Sequence, residues 1–192
     1  EEPLPTGGSV ELEVDWGFTV SGGGGFRNGH LDNSVFNVAP WYPPVSVSDD
    51  VFGWDRRQYL GPGEFSVGYG RFEVDVTVPE GWVVVGTGML QNPDEVLRPE
   101  QVRALRSAPA LDTVIAVVSE GDLEAGNATR PSETGKLTWR FAADSVRDFA
   151  FAASDRYLWH VTGADTGNPG HRALIQNVYT PDNAHWSEAT LY

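Results

Sequence analysis

The sequence contains no cysteine, one lysine (Lys136), one methionine (Met89) and no long apolar run. Without cysteine the chain can form no disulfide, thiolate metal site or thiol nucleophile. No apolar stretch approaches the roughly 18 residues that a membrane span needs, and the first residues, Glu1 to Pro5, lack the basic-then-apolar layout of a signal peptide. Because the first residue is not methionine, we expect a processed product or an excised piece of a longer protein.

Basic residues are also scarce: 13 arginines and lysines face 27 acidic residues, for a net charge of −14. This charge repels nucleic-acid phosphates and anionic lipids, so we expect neither nucleic-acid binding nor membrane contact from this segment. Most of the carboxylates are expected to lie on a well-hydrated surface. The length is sufficient for one domain that buries about 70% of its unfolded surface.

Alternation of apolar and polar residues predicts β-strands. The clearest run is residues 10–20, where Glu11, Glu13 and Asp15 separate apolar residues, as in a strand with one wet face. A second run, residues 72–78, stops at Pro79 and resumes over 82–85, which predicts a strand–turn–strand unit. Further predicted strands cover 113–119, 136–142, 149–153, 157–162 and 173–180.

Short strands separated by turn signals predict an all-β fold, an antiparallel β-sandwich with one short helix. The helix is expected between Pro99, which suits a first helical position, and Pro109, with Val102 and Leu105 on one face. Residues 1–180 are assigned to the sandwich and 181–192 to a connection. The glycine run at 22–25 is expected to be a flexible loop.

Local catalytic motifs are absent: the sequence has no HExxH, HxH or GxSxG. A Ser-His-Asp triad assembled in space stays open. The pairs Asp49-Asp50 and Asp94-Glu95 fit acid–base work or calcium binding in a turn, and they fit ordinary turn chemistry at least as well. The histidines are too scattered to predict a metal site: His30, His160, His171 and His185.

Tryptophan is abundant, with seven residues. Trp41 and Trp54, with Tyr42, fall in a Pro-, Asp- and Gly-rich region, 39–63, which is too long for a plain connection. They either line a site or interface, or they anchor the loop to the edge of the sandwich. Three other tryptophans lie on apolar strand faces and are predicted to be core: Trp16, Trp82 and Trp139.

Three strings, in their order and spacing, carry a resemblance to a known family. They are WYPPVSVSDDVFGWD (41–55), GEFSVGYGRFEVDVTVPEGWVVVGTGMLQNPDEVL (63–97) and KLTWRFAADSVRDFAFAASDRYLW (136–159). Together they resemble the N-terminal β-domain of the aminopeptidase N-like (gluzincin) zinc metallopeptidases, in the divergent bacterial branch. Members of that family show a Trp-Tyr-Pro loop, a Gly-Glu-Phe strand start, a Thr-Gly-x-Leu turn and an Arg-Asp-Phe-Ala-x-Ala-x-Ser phrase. The likeness covers most of residues 12–179.

The resemblance implies a saddle-like β-sandwich that leads into a thermolysin-like catalytic domain. That domain would hold Zn²⁺ through HExxH and a downstream Glu, and would grip the substrate amine through a Gly-x-Met-Glu-x segment. None of these motifs occurs in this sequence, so no cofactor is expected in this chain and it should be inactive alone. The resemblance also suggests that early strands are missing and that residues 181–192 begin the connection to the catalytic domain.

The function implied is that of a non-catalytic domain, which covers the catalytic domain of the same polypeptide and helps restrict access to the N-termini of peptide substrates. In the family a loop of this domain offers Gln or Glu near the substrate amine. Here Pro40 stands where Gln is expected, which counts against a direct amine contact. Trp41 and Tyr42 are predicted instead to wall the substrate pocket.

Two alternatives stay open. One is a free-standing binding module that stacks peptide or carbohydrate on Trp41 and Trp54, and the other is a parent protein that has lost its catalytic residues and acts as a scaffold. A module should have a polar surface all round, whereas a docking domain should expose an apolar patch. The sequence does not fix the compartment; a bacterial extracytoplasmic or cell-envelope location is the favoured expectation.

Overall fold

The computed structural model describes residues 3–23, 27–56 and 67–191. The strands in these ranges are β1 (Asn28–Leu31), β2 (Val35–Val38), β3 (Ser48–Asp49), β4 (Gly53–Trp54), β5 (Gly70–Pro79), β6 (Val83–Gly86), β7 (Met89–Leu90), β8 (Ile115–Val118), β9 (Lys136–Val146), β10 (Phe151–Ser154), β11 (Leu158–Asp165) and β12 (Arg172–Tyr179). The helices are α1 (Pro93–Val96), α2 (Pro99–Ser107) and α3 (Glu120–Glu124), with 3₁₀ helices at Ala108–Ala110 and Pro181–Leu191.

The strands form antiparallel sheets, in the orders β1-β2-β10-β6, β5-β9-β7 and β12-β11-β8, with β3-β4 as a separate hairpin. The core lies between these sheets. Phe141 of β9 approaches Phe149 to 6.0 Å between ring centroids, and Trp139 approaches Trp159 of β11 to 6.3 Å. Both tryptophans are fully buried. The all-β, antiparallel sandwich predicted from the sequence is therefore confirmed.

In β9 apolar and polar residues alternate because every second side chain is buried, as the sequence predicts. Leu137, Trp139 and Phe141 are buried, as predicted, while Lys136 and Arg140 on the other face are exposed. β5, β8, β10, β11 and β12 likewise fall within a few residues of their predicted positions.

The predicted strand–turn–strand unit at residues 72–85 is wrong as a hairpin. β5 pairs with β9, whereas β6 pairs with β10 in another sheet. The turn at Gly81 therefore carries the chain from one layer of the sandwich to the other. Val83 and Val84 are both buried. Consecutive residues of a strand point to opposite faces, so both faces of β6 are covered, unlike a strand with one face in water.

The strand predicted at residues 10–20 is not formed. No backbone hydrogen bond joins Ser9–Val20 to another part of the described chain, although the sequence alternates as a strand should. Trp16 is 49% exposed, so the prediction that it is a core residue is wrong. An alternating pattern sets a conformational preference, but a strand also needs a partner with unpaired backbone groups.

The predicted helix is confirmed as α2, with Pro99 at its first position and Val102 and Leu105 buried. The one-turn helix α1 and the short α3 were not predicted. The 3₁₀ helix Pro181–Leu191 packs back on β12, where the Asn177 amide donates to the carbonyl of Trp186 at 2.6 Å. Among the described residues no helix is long and apolar enough to cross a membrane. The predicted glycine loop at 24–25 lies outside the described residues.

Candidate functional site

The loop that follows β2 places Trp41 and Tyr42 at the edge of the sandwich. β2 ends at the buried Val38, and a cis peptide bond joins Ala39 to Pro40. The Asn28 side-chain amide of β1 donates to the carbonyl of Pro40 at 3.2 Å. The loop is thus tied to the neighbouring strand immediately before the two aromatic residues.

Trp41 is half-buried and anchored. Its indole N–H donates to the carbonyl of Phe149 at 2.9 Å, and its ring meets Phe151 edge-on at 5.6 Å. The carbonyl of Trp41 accepts a hydrogen bond from the Trp16 indole at 2.9 Å, and the two rings lie 5.9 Å apart. The interpretation of Trp41 as a loop anchor therefore agrees with its contacts, while its other face stays open to a groove.

Tyr42 packs on the opposite side of Trp41, with its ring edge-on to Phe72 at 5.7 Å. Burial, together with the charge of Asp148 and a hydrogen bond to it, raises the pKa of Tyr42 to about 12. The hydroxyl is therefore protonated at neutral pH and cannot act as a general base there. Its available role is to hold the loop and offer apolar area with one polar atom.

The open face of Trp41 lines a groove of about 570 Å³. Its polar side chains are few: Ser46, Tyr42 through its hydroxyl, and Asn28. The side-chain oxygen of Asn28 is buried and has no hydrogen-bond partner in the described chain. The apolar walls come from two distant segments: Trp16, Phe18, Pro40, Trp41, Tyr42, Pro43 and Pro44. Trp16 and Phe18 are the part of this groove that the sequence did not predict, because their alternation indicated a core strand.

Trp54 lies apart from this groove. It belongs to the β3-β4 hairpin and is 57% exposed, near Val45 and Val51 at 68% and 74%. The turn of the hairpin is fixed, since the Asp49 carboxylate accepts from the backbone N–H of Val51 at 2.8 Å and of Phe52 at 2.6 Å. The predicted loop, 39–63, thus presents an ordered hairpin with apolar side chains in solvent; residues 57–63 lie outside the described chain.

The carboxylate pairs have structural roles. Asp49 closes the hairpin turn, Asp94 pairs with Arg106 at 2.5 Å, and Glu95 pairs with Arg140 at 3.0 Å.

The Nδ1 atom of His160 lies 2.8 Å from the Tyr179 hydroxyl. The described residues contain no group of three or more His, Asp or Glu side chains that could hold a metal. The side chains of the described chain therefore do not fit a zinc site.

No family model, curated protein or solved structure matches this chain. By its structure the chain belongs to the class of antiparallel β-sandwich proteins. It carries an aromatic groove and an apolar hairpin at one edge.

The titration of Tyr42 gives a test of the site geometry. Because its pKa is about 12 in the folded chain against 10.0 for a free tyrosine, Tyr42 stabilises the fold below pH 10, and this contribution is lost as the pH rises through 12. Replacing Asp148 by asparagine should lower the pKa of Tyr42. The pKa of Tyr42 is measured from phenolate absorbance, as the difference between the chain and its Tyr42→Phe variant. An unchanged pKa of Tyr42 in Asp148→Asn would contradict the interaction between Tyr42 and Asp148.

Proposed function

We propose that this chain is a non-catalytic N-terminal domain of a zinc-dependent, aminopeptidase-like metallopeptidase. It covers the catalytic domain of the same polypeptide and helps restrict entry to peptide N-termini. Zn²⁺ belongs to that catalytic domain, which would supply the activated water and its general base. The proposal rests on the three sequence strings that resemble the family and on the sandwich fold in which they sit.

The observation that carries the docking role is the exposed apolar surface of the β3-β4 hairpin. Val51 and Trp54 are more than half exposed, as is Val45 just before the hairpin, and the Asp49 carboxylate fixes the turn that carries Val51. Ordering an apolar surface in solvent gains nothing for the isolated domain, and such patches mark sites where another surface docks. The hairpin leaves the same loop as Trp41 and Tyr42, so a docked domain at the hairpin lies beside the groove.

In this arrangement Trp41 and Tyr42 form a fixed wall of the substrate pocket. The wall is held in place by the hydrogen bond from the Trp41 indole to the carbonyl of Phe149 and by the edge-on contact of Tyr42 with Phe72. It contributes apolar area rather than charge, which suits the side chain of the first substrate residue better than its amine. Pro40 has no side-chain oxygen to accept a hydrogen bond from the substrate amine, which leaves the amine to be recognised by the catalytic domain.

A free-standing module for peptide or carbohydrate is the second candidate, and the open groove is the observation in its favour. Carbohydrate sites set polar groups around an aromatic platform, whereas this groove has few polar side chains among its described lining residues: Asn28, Ser46 and the hydroxyl of Tyr42. The poverty of polar groups favours the docking role. Titration with simple sugars and short uncharged peptides, followed by Trp fluorescence, should give no saturable change for the chain alone.

The coding sequence beyond the codon for Tyr192 gives the direct test. The proposal requires an open frame of several hundred codons that encodes HExxH on a helix and a glutamate ligand downstream. A frame that stays open without these motifs would indicate a scaffold protein. A stop codon soon after Tyr192 would contradict the proposal and leave the binding module as the better account.

A further inference from the structure

The segment Ser9–Val20 alternates in sequence like a strand but has no partner in the described chain. Apolar residues occupy alternate positions, and Val10, Leu12 and Val14 are 66%, 67% and 52% exposed. The backbone of Ser9–Val20 makes no hydrogen bond to another backbone group of the described chain. Unpaired N–H and C=O groups in an alternating segment allow another strand to pair with it.

The segment is held to the sandwich at two places. The carbonyl of Ser21, just after the segment, accepts from the N–H of His30 in β1 at 3.0 Å. The Trp16 indole N–H is bonded to the carbonyl of Trp41. These contacts leave the backbone groups of Ser9–Val20 unpaired within the described chain, so an added strand would pair with the segment itself.

We infer that residues 10–20 bind an extended polypeptide strand in which apolar residues alternate with lysine or arginine. The charges of the segment select this partner. Glu11, Glu13 and Asp15 lie on one face, so basic side chains directly opposite them form favourable cross-strand pairs. The apolar residues of the partner would meet Leu12, Val14 and Trp16 on the other face.

A second copy of this chain is a poor occupant. Antiparallel pairing of two identical segments about Glu13 would set Glu11 against Asp15 and Glu13 against its own counterpart. Like charges directly opposite are destabilising in a sheet. The chain as a whole carries a net charge of −14, which adds to the repulsion between copies. The partner is therefore a basic strand from outside residues 1–192, and this inference does not depend on the proposed peptidase role.

The test uses the full chain and a fluorescein-labelled peptide in which valine alternates with lysine and arginine. Binding is followed by anisotropy, and amide hydrogen exchange reports which residues become protected. We expect saturable binding with protection of amides within residues 10–20. A peptide of the same composition with valines and basic residues in separate blocks, and an alternating peptide N-methylated on one edge, should each bind at least about tenfold more weakly.

Two variants separate strand pairing from charge attraction. Val14→Pro removes one N–H from the segment and Glu13→Lys reverses one charge, and each should weaken the alternating peptide about tenfold or more. Glu133→Lys, an exposed glutamate in a remote turn, is the matched control and should change the affinity less than about twofold. Circular dichroism should show that each variant keeps its fold, since Val14 makes no backbone bond to the rest of the described chain.

Three results would overturn the inference. One is the absence of saturable binding, and another is equal binding of the block peptide, which would indicate attraction by net charge alone. The third is a dimer, seen by sedimentation, that Val14→Pro dissociates, because a second copy would then occupy the strand.

Discussion

Replacing Trp139 with alanine should lower the free energy of unfolding by about 3–5 kcal/mol, enough to unfold many domains of this size. Trp139 is fully buried at the centre of the sandwich, where its ring meets Trp159 at 6.3 Å. The truncation removes apolar area and leaves a cavity between sheets that cannot close together. Urea denaturation followed by far-ultraviolet circular dichroism measures the change, provided that the variant folds well enough to show a transition.

Two further variants make this prediction specific. The indole N–H of Trp139 is buried without a hydrogen-bond partner in the described chain, so Trp139→Phe loses no bond and should cost only about 1–2 kcal/mol. Trp54→Ala, at a tryptophan that is 57% exposed, should change stability by less than about 0.5 kcal/mol. Equal losses for Trp139→Ala and Trp54→Ala would contradict the assignment of the core.

Replacing Gly88 with alanine should cost about 2–5 kcal/mol, through two separate causes. Gly88 has a φ of +84°, a left-handed conformation that costs an L-residue about 1–2 kcal/mol. A Cβ at this position would also collide with the carbonyl of Ala142 and lie 2.7 Å from the Cβ of Ala143, both in β9. The strand backbone cannot move aside without breaking its pairing with β5, so overpacking adds about 1–3 kcal/mol.

Gly167→Ala is the matched control for Gly88→Ala. Gly167 has a similar φ of +76°, but nothing lies within 4 Å of its Cβ position. It should therefore show only the conformational cost of about 1–2 kcal/mol. Thermal and urea unfolding of the two variants would separate strain from collision. Equal destabilisation would show that the turn at residues 87–90, the Thr-Gly-x-Leu string of the sequence, is not packed against β9 as described.

The sandwich could be predicted because most of its strands bury alternate residues. In β9 every second side chain from Leu137 to Phe141 meets the core, so the pattern in the sequence and the pattern of burial coincide. The pairing could not be predicted in the same way. β5 and β6 are joined by a short turn that resembles a hairpin, yet β5 pairs with β9 and β6 with β10, in different sheets. The burial of both Val83 and Val84 agrees with this separation.

The candidate site was predicted in part. The composition of residues 39–63 singled out Trp41, Tyr42 and Trp54, but it could not show that Trp54 lies on a separate hairpin. The groove depends on contacts between distant residues: the Trp41 indole bonds the carbonyl of Phe149, and Trp16 reaches Trp41 from a segment that alternates like a core strand. Single-sequence patterns carry no record of such long-range contacts.

The most direct test of the central claim is the peptidase activity of the full-length protein that contains this chain. We expect zinc-dependent release of N-terminal residues from peptides, lost on chelation and restored by Zn²⁺, and no activity from residues 1–192 alone. Trp41→Ala should lower kcat/KM about tenfold with the preferred peptide, whereas Trp186→Ala, an exposed tryptophan outside the groove, should leave it unchanged. A full-length protein without metal-dependent peptidase activity would contradict the account.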